Sequence, residues 1–203
     1  MKVVASVPLF IAILFASSAE AQQTVNGCQI KRKTICKSVD LSGADLTKSN
    51  LSGADLSGAN LSGANLSGDK ITEANLIKAN LSNTNLSEAN LSETYMTGTN
   101  LSQANLAKAN LSQSSLPDAN LRGANLAGAN LSLANLKGAD LTGANAKGAV
   151  FVMTVLTNAN LTRVDLTEAS LIGTDLRTTI LDGARYCKTI MPDRSINNSN
   201  CPK

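Results

Sequence analysis

Histidine and tryptophan are missing from the 203-residue chain, and Phe and Tyr together number only five. Without histidine, both the commonest general base and the commonest metal ligand are gone. So few aromatics cannot fill an ordinary globular core, and buried surface has to come from small aliphatic side chains. Charged residues are also sparse, at 16%, but with 43% hydrophobic residues the chain lies outside the low-hydropathy, high-charge composition of disordered proteins and is expected to fold. Ser and Asp abound, yet a nucleophile needs an activating base, and here only Lys or a perturbed carboxylate could supply one. No such constellation stands out. The expectation is a non-catalytic protein that needs no cofactor and holds no metal.

No apolar run is long enough to span a bilayer. The longest, Val3 to Ala16, has fourteen residues interrupted by Ser6 and Pro8, against the roughly 20 that a membrane helix needs. With Lys2 before it and Ala19-Glu20-Ala21 after it, the segment reads as a secretory leader, residues 1–21, with cleavage before Gln22. Cys28 follows a polar stretch instead of the apolar run, which excludes a lipid anchor. No stable membrane insertion is expected after cleavage.

A single-signed charge surface is lacking too. Lys2 and Glu20 both fall in the leader, so the net charge of +3 is unchanged by its removal. Residues 22–39 hold Lys31, Arg32, Lys33 and Lys37 with no acid, whereas residues 40–120 hold four Lys and eight acids. No run of five or six like charges occurs, so the reading is a solvated mixed surface and no nucleic-acid partner.

What the chain does have is a repeat. From Val39 to Gly183 it divides into twenty-nine consecutive five-residue units without an insertion. The third residue of each unit, from Leu41 to Leu181, is Leu in twenty-five cases, the exceptions being Ile71, Met96, Ala146 and Phe151. The first is Ala in eighteen; the second is usually Asn or Asp, the fourth Ser or Thr, and the fifth often Gly. A period of five suits neither regular element. On an α-helix successive leucines would advance about 140° and spiral round every face, and along a straight strand they would alternate sides. Each unit must therefore turn: Ala and Leu point inward, Asn between them points out, and Ser-Gly makes a corner.

Units such as Ala59-Asn60-Leu61-Ser62-Gly63 resemble the pentapeptide-repeat family, whose pattern is a small residue, Asn or Asp, Leu or Phe, Ser or Thr, then any residue. The resemblance implies an all-β fold, a right-handed quadrilateral β-helix with four units per coil, and so about seven coils. Stacked strands lie about 4.8 Å apart, which makes the solenoid roughly 34 Å long, with residues twenty apart in register. Two consequences concern charge. Asp69 occupies an inward first position, where an unpaired charge is costly, and either a local bulge around Gly68 to Lys70 or a backbone hydrogen bond to the carboxylate is expected. Glu88 lies one coil below Lys108 and should pair with it, whereas Glu73 lies below Glu93.

The four cysteines all lie outside the repeat. Of the three possible connectivities, two would join opposite ends of a solenoid roughly 34 Å long, beyond the ~7 Å that a disulfide tolerates between Cα atoms. Cys28 with Cys36 and Cys187 with Cys201 remain, and their spacings match no zinc pattern. The expected organisation is a leader at 1–21, an N-terminal cap at 22–38, the solenoid at 39–183 and a C-terminal cap at 184–203. Caps are needed because a solenoid's end coils expose leucine and unpaired strand edges. The tail from Tyr186 to Cys201 also resembles the ending of exported pentapeptide-repeat proteins from cyanobacteria, which implies the periplasm or thylakoid lumen, with an extracellular location as the alternative.

On function the residues point first to a structural or interaction scaffold. A DNA mimic that binds a topoisomerase, a role known within the family, would need an anionic rod and cytoplasmic access. A polar-array binder of ice or glycan would use the ranks Asn65, Asn85, Asn105, Asn125, Asn145 and Ser42, Ser62, Ser82, Ser102, although such ladders also bond along their own stack. The polar outward pattern breaks at one place. Val150, Val152, Met153 and Val155 replace polar or Gly residues, and twenty-residue stacking sets Leu133 below Met153 and Ile172 above Val152. Val155 lies round the corner from the other five. An apolar patch on a surface of Asn, Ser and Gly marks a contact site, for a protein partner or for a homodimer.

Overall fold

The structure, a computed structural model, describes residues 23–201; the leader expected at 1–21 lies outside them. Between Ile35 and Ile190 the chain forms four rows of parallel bridges, each joining residues twenty apart. One row runs from Asp40 to Ile180, the next from Asp45 to Arg185, the third from Asn50 to Ile190, and the fourth from Ile35 to Val155. No extended strand forms within the repeat. A corner at every fifth residue leaves room for one bridged residue per unit, so each sheet is built from single rungs. The corners demand a left-handed backbone at the fifth position, which explains the Gly there: Gly63 has φ 67° and Gly143 φ 68°.

The third residues are inside, as the period requires. Leu46, Leu61, Leu86 and Leu121 are fully buried, and the first-position alanines pack between them. Each buried leucine contributes on the order of 1.5–3 kcal/mol relative to exposure, so stability is spread along the stack and depends mainly on neighbouring coils. Polar residues at the first position satisfy themselves on core carbonyls. Thr84 Oγ1 donates to Leu61 O, and Thr154 Oγ1 to Leu131 O, at 2.8 and 2.7 Å.

Asp69 is the exception. Only 1% exposed, it accepts a hydrogen bond from Ser49 Oγ on Oδ2 at 2.8 Å, while Oδ1 has no partner. The expected bulge is not seen, because Lys70 remains bridged to both Asn50 and Asn90. Beside it two bonds of the coil-to-coil backbone pattern are absent, Lys48 N–H to Ser67 O and Lys70 N–H to Ser49 O, as the pattern also lapses between Leu156–Asn158 and Asp175–Arg177. Burial pushes the carboxyl up to about 6, with the Ser49 hydroxyl pulling the other way.

Both ends carry a short antiparallel hairpin. At the N-terminal end β1 (Thr24–Val25) pairs with β2 (Cys28–Gln29) through Asn26-Gly27, both at positive φ, the dipeptide that such a tight hairpin turn favours. Its side chains meet the open edge: Asn26 Nδ2 donates to Asp40 O at 2.6 Å and Gln23 Nε2 to Asp45 O at 2.9 Å. At the other end β3 (Thr189–Ile190) pairs with β4 (Ile196–Asn197). Disulfides join Cys28 to Cys36 and Cys187 to Cys201, with Cα atoms 5.6 and 4.6 Å apart.

Candidate functional site

The four outward rows are not alike. On the row from Asp40, Asn60 Nδ2 donates to Asp40 Oδ1, and Asn80, Asn100 and Asn120 each donate to the residue one coil below at 3.1 Å. Asn85, Asn105, Asn125 and Asn145 repeat the pattern on the next row, starting from Asn65. The third row has a shorter ladder, from Asn90 through Asn110 to Asn130. Within these ladders the amides are committed to one another, as stacked Asn side chains usually are.

The break in the pattern appears where Leu133, Val150, Val152, Met153 and Ile172 come together. Leu133 N–H donates to Val152 O and Met153 N–H to Ile172 O, both at 2.9 Å, which fixes the stacking of these residues. Leu133 is 56% exposed and Met153 61%; Val150, Val152 and Ile172 are half-buried. Val155, 45% exposed, is on the adjoining row. The backbone bonds continue from Ala146 through Phe151, both fully buried, so the two unusual core residues do not break this coil. Leu133 and Met153 have φ of 62° and 53°, a left-handed backbone that costs a residue with a Cβ roughly 1–2 kcal/mol. Large apolar side chains thus stand exposed at corners where Gly would be easier.

Elsewhere the surface is salted with isolated charges. Lys108 and Glu88 are 3.5 Å apart, with side chains 74% and 67% exposed, so the pair contributes at most about 1 kcal/mol. Among the described residues no three His, Cys, Asp or Glu side chains gather as a metal site would need. One shallow depression of about 240 Å³ is lined by Arg32, Lys33, Lys70 and Glu73, and another of about 480 Å³ by residues of the C-terminal hairpin, Met191 to Asn198.

The family model described as pentapeptide repeats matches in eight copies, over residues 34–68, 74–113, 104–143, 114–152 and 147–183. The chain belongs to the pentapeptide-repeat family. Pentapeptide-repeat proteins fold as right-handed quadrilateral β-helices, in keeping with the four rows and the twenty-residue register. Among solved pentapeptide-repeat structures, the chain is 32% identical to HetL, a protein involved in heterocyst differentiation regulation from the cyanobacterium Nostoc, over 82% of this chain and 90% of that one, with a TM-score of 0.32. A pentapeptide-repeat protein from the Arabidopsis thaliana thylakoid lumen is also 32% identical, over 50% of this chain and 67% of that one, with a TM-score of 0.39. QnrB1, a plasmid-mediated fluoroquinolone resistance protein, is 24% identical over 76% and 80%, with a TM-score of 0.42. Comparison with curated proteins gave no match.

Sequence reasoning grouped the apolar patch but passed over two features. The Asn26-Gly27 turn of the N-terminal hairpin was legible as a dipeptide. The fourth row, with Tyr95 at its middle, was legible only by laying the rows side by side at twenty-residue spacing.

Proposed function

We propose that this pentapeptide-repeat protein is a non-catalytic scaffold outside the cytoplasm, about seven coils long and closed by a disulfide-bearing cap at each end. It binds a protein through the patch of Leu133, Val150, Val152, Met153, Val155 and Ile172. The observation that carries this reading is the exposure of the large apolar side chains of Leu133 and Met153, 56% and 61%, side by side on an otherwise polar surface. An exported compartment, periplasm or thylakoid lumen, agrees with the pairing of all four cysteines in disulfides and with the leader-like sequence at 1–21. The Asn ladders argue against a polar-array binder of ice or glycan, since their amides already bond along the stack. The net charge of +3 argues against a DNA mimic.

The test is the double variant Val152→Ser with Met153→Asn. The melting temperature is expected to stay within a few degrees, because neither side chain belongs to the core, while recovery of partner protein from the native host falls to background. If recovery is the same for wild type and variant, or if neither recovers a partner above background, the patch has no binding role.

A further inference from the structure

The fourth row differs from the other three in its side chains and in where it ends. No side-chain hydrogen bond links its successive rungs, whereas each other row has an amide ladder. Its bridges stop at Val155, while the other rows continue to Ile180, Arg185 and Ile190. It also holds three exposed apolar side chains, Ile35 at 77%, Tyr95 at 56% and Val155 at 45%. Two amides on it have spare donors: Asn75 Oδ1 and Asn135 Oδ1 accept from the backbone N–H groups of Ile77 and Lys137, but neither Nδ2 has a partner among the described residues.

The order of these residues is symmetrical. Ile35 and Val155 each lie sixty residues, three rungs, from Tyr95, with two polar rungs in each interval. A two-fold axis through Tyr95, perpendicular to the stack and lying in the plane of contact, turns a second copy upside down and keeps each corner against its own kind. Ile35 then meets Val155 of the second copy, Asp55 meets Asn135, Asn75 meets Ser115, and the two Tyr95 rings meet on the axis. The free Asn135 amide faces an acceptor carboxylate. The corner that follows this row obeys the same symmetry. Ile77 falls opposite Pro117, Lys78 opposite Asp118, and the small pair Thr97-Gly98 lies at the axis. Lys78 and Asp118 are exposed, and neither is in any of the ion pairs among the described residues. At the preceding corner Ser92 and Glu93 meet their own copies, the two Glu93 carboxylates making one exposed like-charge contact, while Glu73 falls opposite Gln113 and Lys33 opposite Met153.

We propose that a second copy of this chain docks antiparallel on the fourth face, with Tyr95 on the two-fold axis and Lys78–Asp118 pairs on either side. An isologous contact requires this self-complementarity, residue i meeting j and j meeting i. The inference goes beyond the reading above, since it concerns the adjoining face, which shares Val155 with the patch, and names the occupant. Seven rungs, six spacings, span about 29 Å and one side is about 13 Å wide, so the contact is small and the dimer is weak and reversible.

The experiment uses protein secreted through its own leader and purified with both disulfides formed. At about 200 µM and low salt, a concentration suited to so small a contact, sedimentation velocity is expected to show a dimer that dissociates on dilution. Tyr95→Arg abolishes it. Lys78→Glu or Asp118→Lys alone each weaken it about tenfold, since two symmetry-related attractions become repulsions, and the combined swap restores it. A monomeric wild type overturns the proposal, as does a dimer indifferent to Tyr95→Arg or a charge swap that does not restore association. Capture of a different protein by a monomeric chain would leave the patch reading intact while ending this one.

Discussion

Replacing Asp69 with Ala is expected to stabilise the protein at pH 7 by at most about 3 kcal/mol, the equivalent of a carboxyl displaced from 3.8 to about 6, offset in part because the Ser49 hydroxyl loses its acceptor. For a domain of this size that is a rise of at most roughly 6–12 °C in melting temperature. The sign follows from which state holds the proton more tightly. Asp69 has a higher pKa folded than unfolded, so protonation favours the fold. That contribution is fully present below about pH 3.8 and is lost as the pH rises through about 6. The other shifted aspartates work oppositely. Asp140 and Asp165 are held below their ordinary value against the cost of burial, by hydrogen bonds from Thr142 and Arg122 and from Thr167 respectively, and their contribution is lost as the pH falls below about 4. Stability should therefore peak near pH 4–5, with Asp69 responsible for the decline toward neutrality. Asp69→Asn, nearly isosteric but unable to ionise, should flatten that decline. Thermal melts of the three proteins from pH 4 to 8 provide the check, and a wild-type curve as flat as that of the Asn variant would refute it.

The second large effect concerns the two odd core residues of one coil. Phe151 and Ala146, both fully buried, stand where the repeat usually has Leu. One is larger than Leu and the other smaller, and they follow each other round the coil, so the natural reading is mutual compensation of volume. Phe151→Ala should cost about 3–5 kcal/mol, among the largest losses available to a single substitution here. Ala146→Leu alone should cost about 1–3 kcal/mol through overpacking. Ala146→Leu combined with Phe151→Leu should recover most of that loss, because it re-creates the standard coil. Denaturant unfolding of wild type, Ala146→Leu, Phe151→Leu and their combination gives the coupling. Simple additivity would mean that the two sites do not share space.

Much of the architecture was readable from single residues. The leucine column from Leu41 to Leu171, the alternation of Ala and Leu, and the Gly-rich corners follow from a period of five that neither helix nor strand can accommodate. The cysteine pairs could be argued from their positions outside the repeat. Asp69 stood out as an inward charge, and of the two accommodations expected, a bulge or a backbone hydrogen bond to the carboxylate, the bulge is absent. The structure inserts no residue: Ser49, twenty positions earlier, supplies one hydrogen bond and two backbone bonds are lost. A partner at that separation belongs to the coil below, and its reach depends on the side chain's rotamer and on local backbone slack.

The sequence by itself determined the unit, because the apolar period states which side chains must leave water. It did not determine how many units close a turn. A five-residue bend repeats as well in three- or five-sided coils, and the number four depends on how Leu and Ala from opposite sides meet across the interior, which is a tertiary quantity. Family resemblance supplied the number, and the bridges between residues twenty apart show it in this chain. Every statement about a face depends on it. Tyr95 is an isolated aromatic in the sequence, and it becomes the centre of a row with Ile35 and Val155 only once the coil has closed and backbone hydrogen bonding has set the register.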